Sequence, residues 1–275
     1  MDGLLAHEAW FRLAAFAAVF AAMAAWEIRA PRRDPELARG ARWPANLGLL
    51  VVDGLLVRLL IPTAAVGIAL LGEARGWGLL NNLDLPYWLA FVIALLVLDL
   101  AIYLQHVLFH AVPALWRLHR VHHTDMDFDL TTALRFHPVE ILLSMVIKMA
   151  VVAALGAPAL AVMLFEVILN GMAMFNHGNV YLPWTWDRRL RRVVVTPDMH
   201  RVHHSVHWRE TNSNFGFNLS LWDRLFGTYR AQPADGHTGM VIGLDAYRDP
   251  RQLGLGGLLV QPFRGGAGGG RLDPS

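Results

Sequence analysis

The stretch PYWLAFVIALLVLDLAIYLQHVLFH, running from Pro86 to His110, decides how the chain is read. It is apolar for longer than the roughly 20 helical residues a bilayer core requires. It closes on His106 and His110, four positions apart and therefore on one face of a helix. Working outward, three further apolar regions lie at 9–28, 44–71 and 139–177. The last is roughly twice the length of one crossing. It is broken by Gly156, Ala157 and Pro158, where proline removes a backbone donor and glycine permits a turn, so it reads as a helical hairpin.

Composition agrees with a membrane setting. Of 275 residues, 55% are hydrophobic and only 17% charged, too apolar for one ordinary soluble domain. The formal net charge is +2 and no nucleic-acid motif occurs, so no nucleic-acid partner is expected. There is no cysteine, which excludes disulfides, iron–sulfur clusters, thiolate zinc sites and cysteine nucleophiles. Any metal must therefore be held by His, Asp or Glu.

Arg29, Arg32, Arg33, Arg39 and Arg42 lie between the first two apolar regions, whereas the stretch near 72–86 carries only Arg75. The positive-inside rule places the first of these loops in the cytoplasm. Alternation then brings the ends of the third helix and of the hairpin's return limb, and everything from Trp184 onward, to the same side. The first apolar region reads as a retained membrane helix and not a signal peptide, because Asp2 and Glu8 precede it and nothing basic does. Residues 231–275, ending in a glycine-rich run, read as a flexible C-terminal tail. The expected fold is an all-α integral membrane protein with about three transmembrane helices plus a helical hairpin, carrying a cytoplasmic histidine-rich helical cap.

The 13 histidines are clustered. His119, His122 and His123 stand in LHRVHHT, and His200, His203 and His204 in the nearly identical MHRVHHS. Offsets of three and four put each trio in a narrow arc of a helix. His177 ends the hairpin's return limb. Together with His106 and His110 these rings converge on one membrane face. One histidine near a membrane boundary is ordinarily interfacial, but a repeated three-histidine arc beside an i,i+4 pair has little structural explanation and points to metal. A tetrahedral zinc takes three or four protein ligands, so this set implies two metals. Imidazole suits iron, copper, nickel and zinc alike. Iron would activate oxygen and zinc would hydrolyse, although the His-Glu-x-x-His pattern of zinc hydrolases is missing. A membrane zinc hydrolase is the rival reading, and a metal transporter or sensor the third, although its ligands would belong near the bilayer midplane.

The order His106-x-x-x-His110, His119-x-x-His122-His123, His177, His200-x-x-His203-His204, followed by NFGFN from Asn214 and LWDRLFGTY from Leu221, closely resembles the fatty acid hydroxylase/sterol desaturase superfamily. The likeness runs from about 90 to 230. It implies a membrane-bound non-haem enzyme with two iron ions held by these histidines and O2 as co-substrate, hydroxylating or desaturating a sterol, fatty acyl chain, ether lipid or carotenoid. It marks 86–230 as the catalytic domain, and the apolar regions ahead of it read as an N-terminal transmembrane region over 1–85. No haem, flavin or cytochrome-like segment is apparent, so electrons are expected from a separate donor. Some members carry a histidine where this chain has Ala173, which leaves one iron a more open shell or one borrowing His137 or water.

Other polar residues in the apolar regions invite roles. Asp99, Glu166 and Asn170 are candidates to hydrogen-bond the ligand histidines, as are His137 and His207 beside the clusters. Lys148 and Glu166 lie at similar depth in the hairpin and are expected to pair, since an intramembrane charge needs a partner. Trp184, Trp186, Trp208 and Trp222 read as interfacial, and Arg188, Arg189, Arg191 and Arg192 as contacts for anionic headgroups.

Overall fold

A computed structural model describes Leu5 and residues 7–264. Its long helices are α1 (Glu8–Arg29), α2 (Arg39–Leu60), α3 (Ala64–Arg75), α4 (Tyr87–Ala111), α6 (Pro138–Leu155) and α7 (Ala159–Asn176), with α5 (Pro113–His123) between α4 and α6. Shorter helices follow: α8 (Trp184–Leu190), α9 (Pro197–His203), α10 (Trp208–Thr211), α11 (Leu221–Leu225), α12 (Gly236–Gly239) and α13 (Leu255–Val260). No strand occurs among the described residues, only isolated bridges. Five helical stretches are long and apolar enough to cross a membrane, those of α1, of α2 with α3, and of α4, α6 and α7. The chain is thus a multi-pass membrane protein.

The second apolar region differs from its expected form. It does not make one helix over 44–71 but begins at Arg39 and breaks after Leu60, where Pro62 cannot continue the hydrogen-bond ladder. The hairpin forms as expected: α6 stops at Gly156, whose φ of +68° is left-handed. A Cβ there would lie 2.6 Å from the Trp77 carbonyl oxygen, so glycine also admits the loop after α3. That loop is fastened by Leu79 N–H to the Ala154 carbonyl, and Glu73 accepts the N–H of Ala159 at the start of α7. Ala65, Ala94, Leu98, Val152, Val162 and Phe165 belong to the core shared by α3, α4, α6 and α7. Leu55, Leu59, Leu104 and Val146 point outward, as lipid-facing side chains do.

One cluster of charged groups within the bundle is paired. Lys148 binds Glu166, as expected, and Arg12 joins them at 2.9 Å. At the opposite end of the bundle from Gly156, buried polar side chains hold a cap together. Arg42 donates to both oxygens of Asp125 at 2.6 and 2.7 Å and to Asp129 at 2.7 Å. Arg135, 1% exposed, donates to the Val121 carbonyl, Asn46 and Thr124.

The stretch from 231 to 264 departs from its reading as a flexible tail. Leu253 and Leu258 are buried against Ala45, Leu49 and Val121, and Arg120 donates to the carbonyls of Gln261 and Arg264. Apolar side chains and a buried guanidinium anchor a segment that its glycine content alone made look unstructured. The closing glycine-rich run, 265–275, lies outside the described residues.

Candidate metal centre

Each cap element starts where its sequence dictates. Val112 is extended ahead of Pro113, which ends α4 and opens α5, so His106 and His110 on one helix come to face His119 and His123 on the next. Thr196 caps α9 by accepting the N–H of Met199, with Pro197 at the first helical position. This orients His200, His203 and His204. His177 stands at the C-terminal end of α7.

The histidines sort into two groups. His106, His110, His119, His123 and His203 form the first; His122, His177, His200 and His204 form the second. Within each, one ligating nitrogen per ring lies within 4.8 Å of the others, and every ring is buried. Either group can hold a metal ion.

The groups around the rings fit that use. In the first, His106 Nδ1 donates to the Phe215 carbonyl at 2.8 Å, His203 Nδ1 to the Ser213 carbonyl at 2.8 Å, and His119 Nδ1 to Glu140 at 2.6 Å. Each bond fixes the tautomer that leaves Nε2 with a lone pair. The Nε2 atoms of all five rings are buried without a hydrogen-bond partner among the described residues. In the second, His177 Nε2 is 3.1 Å from Nε2 of both His122 and His200. Three ring nitrogens meeting at one point suit a shared cation better than hydrogen bonds between neutral imidazoles. Phenylalanines close the site: Phe136 stacks on His122, Phe128 packs on His177 and His204, and Phe215 meets His106, His110 and His203 edge-on.

The loop that supplies Phe215 and Ser213 is held by the LWDRLFGTY stretch. Its Asp223 accepts the N–H groups of Phe215 and Gly216 and the hydroxyl of Thr228. A Cβ at position 216 would lie 2.6 Å from the Asp223 carboxylate, so glycine is required for this grip. Asn214 takes a left-handed φ of +52° and binds the Met199 and Arg230 carbonyls.

Several expected outer partners stand elsewhere. His137 accepts the N–H of Val139 and donates to the Leu259 carbonyl, so it caps α6 and reaches neither group; it cannot replace the histidine that some family members carry at Ala173. His207 is half exposed and bonded to Asp235. Asp99 accepts from Trp222 and from the Leu219 N–H, tying α11 to α4 without touching a histidine, so the Trp222 indole is bonded inside the protein. Glu166 is engaged by Lys148 and Arg12, and Asn170 is exposed on α7. Arg191 is buried, pairing with Asp187 and donating to the Ala231 carbonyl, so it does not reach headgroups. The sequence reading missed Glu140. Its signal is an acid in the first turn of an apolar helix that opens just after His137.

Glu140→Gln should lower metal affinity about 10- to 100-fold, the usual cost of losing an outer partner of a ligand histidine. Competition with a chelator measures it, and an unchanged affinity would show that Glu140 does not set the His119 tautomer.

Burial holds the rings outside the spanning helices below the ordinary histidine range, to about 3 at His119. The unfolded chain thus binds more protons between that value and the ordinary one near 6.5. Stability conferred by these neutral rings is full above the ordinary value and is lost as pH falls below it. The thermal midpoint of metal-free protein should therefore drop between about pH 7.5 and 5.5. A flat profile would contradict neutral burial.

The fatty acid hydroxylase family profile matches residues 91–228, half of the chain and nearly the whole span from α4 to the Asp223 loop. The chain belongs to the fatty acid hydroxylase family. Relatives of this fatty acid hydroxylase family member include the ornithine lipid hydroxylase OlsE of Rhizobium tropici, 30% identical over 55% of this chain and 45% of the relative. The alkylglycerol monooxygenase of Xenopus tropicalis is 29% identical over 56% of this chain and 34% of its own length. The cholesterol 25-hydroxylase of Rattus norvegicus is 31% identical over 52% and 47%. The matches thus span less than half of each of these relatives. No solved structure matches the chain.

Proposed function

We propose that this protein is a di-iron, O2-dependent oxidoreductase that hydroxylates a membrane lipid. The observation that carries the proposal is the sorting of nine buried histidines into two adjoining groups of five and four. His106, His110, His119, His123 and His203 would hold one iron, and His122, His177, His200 and His204 the other. Iron bound there would supply the oxidation of an unactivated C–H bond by O2. The chain's own part is to fix lone-pair direction through Glu140 and the Ser213 and Phe215 carbonyls, and to keep water out with Phe128, Phe136 and Phe215.

Hydroxylation is preferred to desaturation because the relatives are named for hydroxylation or monooxygenation. Their substrates, an ornithine lipid, alkylglycerols and cholesterol, bracket the lipid class. The arginines between α1 and α2 support a cytoplasmic metal face, reachable by a separate electron donor. The catalytic portion is 86–230, with 1–85 completing the membrane bundle.

The test is isotopic. Iron-loaded protein, given reductant and a lipid extract under 18O2, should yield a lipid carrying one 18O atom. Product formed without oxygen, or labelled from H2 18O alone, would overturn the proposal in favour of a hydrolase.

A further inference from the structure

A cavity of about 260 Å3 opens in the cap between the end of α1 and the start of α2. Its lining includes Glu27, Arg39, Asp127, Phe128 and Asn179. Most of its polar groups are already used. Asp127 accepts the N–H groups of Glu36 and Leu37, and the Asn179 amide is bonded in both directions to the Arg33 backbone.

Glu27 and Arg39 are different. Glu27 is 1% exposed, and its Oε1 accepts two N–H bonds, from Leu130 at 2.7 Å and Asn179 at 2.9 Å. The two amide donors fix the position of that oxygen. The other oxygen, Oε2, receives no hydrogen bond among the described residues. The guanidinium of Arg39 stands 3.8 Å from it, beyond hydrogen-bond reach, is 40% exposed on its side chain and lies over the Trp43 ring. The cavity wall thus carries a fully buried carboxylate, one of whose oxygens receives no hydrogen bond among the described residues, and a guanidinium nearer the surface. An ammonium would satisfy the first and an adjoining anionic group the second.

The floor adds a reason for a lipid. Phe128, 2% exposed, packs its ring 5.0 Å from that of His204 and 5.5 Å from that of His177. One side chain therefore separates the cavity from the second histidine group, and Ile28, also lining the cavity, is 66% exposed at the end of a membrane-spanning helix.

We propose that this cavity is a headgroup subsite for a zwitterionic aminolipid, with the ammonium on Glu27 and the neighbouring anionic group on Arg39. The inference rests on the lipid-hydroxylase reading and narrows its substrate class. Phosphoethanolamine lipids and amino-acid-headed lipids share the required chemistry.

The test is calorimetric binding to the full chain in mild detergent, with and without metal. The probes are dihexanoylphosphatidylethanolamine, Nα-octanoylornithine and, as the amine-free comparison, dihexanoylphosphatidylglycerol. At least one amine probe should bind about tenfold or more tighter than the glycerol compound, and Glu27→Gln should erase that difference. Preference for the first probe marks a phospholipid source, and for the second an amino-acid source. The substituted side chain retains a carbonyl oxygen for the Leu130 and Asn179 amides. Should Glu27→Gln still fail to fold, Arg39→Ala, at a partly exposed side chain, should weaken the amine probes by a similar factor. Equal binding of all three probes, no binding of any, or variants that bind like the parent would overturn the subsite. Oxygen incorporation into a lipid extract would persist if only the subsite is wrong, and would fail if the underlying reading is wrong.

Discussion

His177→Ala should leave the purified protein with one metal ion per chain in place of two and reduce turnover by more than about a hundredfold, beyond the usual cost of losing an outer partner. The expectation follows from the smaller histidine group. His177 Nε2 is the atom on which His122 and His200 converge, each at 3.1 Å, and the group has no fifth histidine to take its place. His137 cannot substitute, since both of its nitrogens are bonded at the start of α6. His207→Ala is the matched control: that ring is half exposed and bonded to Asp235, so its removal should change neither metal content nor turnover. Elemental analysis of folded, monodisperse protein alongside activity decides the matter. Two metals retained in His177→Ala would mean that the second group is not a site.

Arg42→Ala should be the most destabilising single change outside the histidines. Asp125 is fully buried and receives Nε and Nη2 of Arg42, together with the Thr132 hydroxyl and the Asn46 amide. Removing the guanidinium strands Asp125 and Asp129 without their cation. Breaking a buried pair from one side costs about 3–5 kcal/mol, a large share of the roughly 5–15 kcal/mol that holds a typical protein folded. Arg42, with Arg135 nearby, holds the Asp125 carboxyl down at about 2. A depressed folded value contributes stability that is present above the ordinary carboxylate range and is lost as pH falls through the folded value. Without Arg42 that acid limb should move to higher pH. The thermal midpoint in detergent measures the main effect, and Asp125→Asn in the same chain should recover part of it. An unchanged midpoint in Arg42→Ala would show that the cap does not depend on this pair.

How far the sequence was legible depended on the kind of signal. Long apolar runs declared the spanning helices, because bilayer thickness fixes their length whatever packs against them. The repeated RVHH arcs declared the histidine cap, because helical spacing places those rings on one face. Their division into five and four was hidden: neighbours such as His122 and His123 go to different groups, which only the crossing of α5, α9 and the ends of α4 and α7 decides. Glu140 was hidden for the same reason, since its contact with His119 spans a loop of irregular backbone. Asp99 misled in the opposite direction. It lies on the helix face that leads to His106, yet its carboxylate is taken by Trp222 from a distant turn. The segment after 231 misled because composition does not register a few anchoring side chains such as Leu253 and Leu258.

The most direct measurement is elemental analysis with Mössbauer spectroscopy on protein purified in mild detergent from cells grown with 57Fe. The proposed di-iron site requires about two irons per chain, magnetically coupled in the oxidised state and mostly lost in His122→Ala. Zinc alone under iron-replete conditions, or one isolated iron unaffected by His122→Ala, would contradict it.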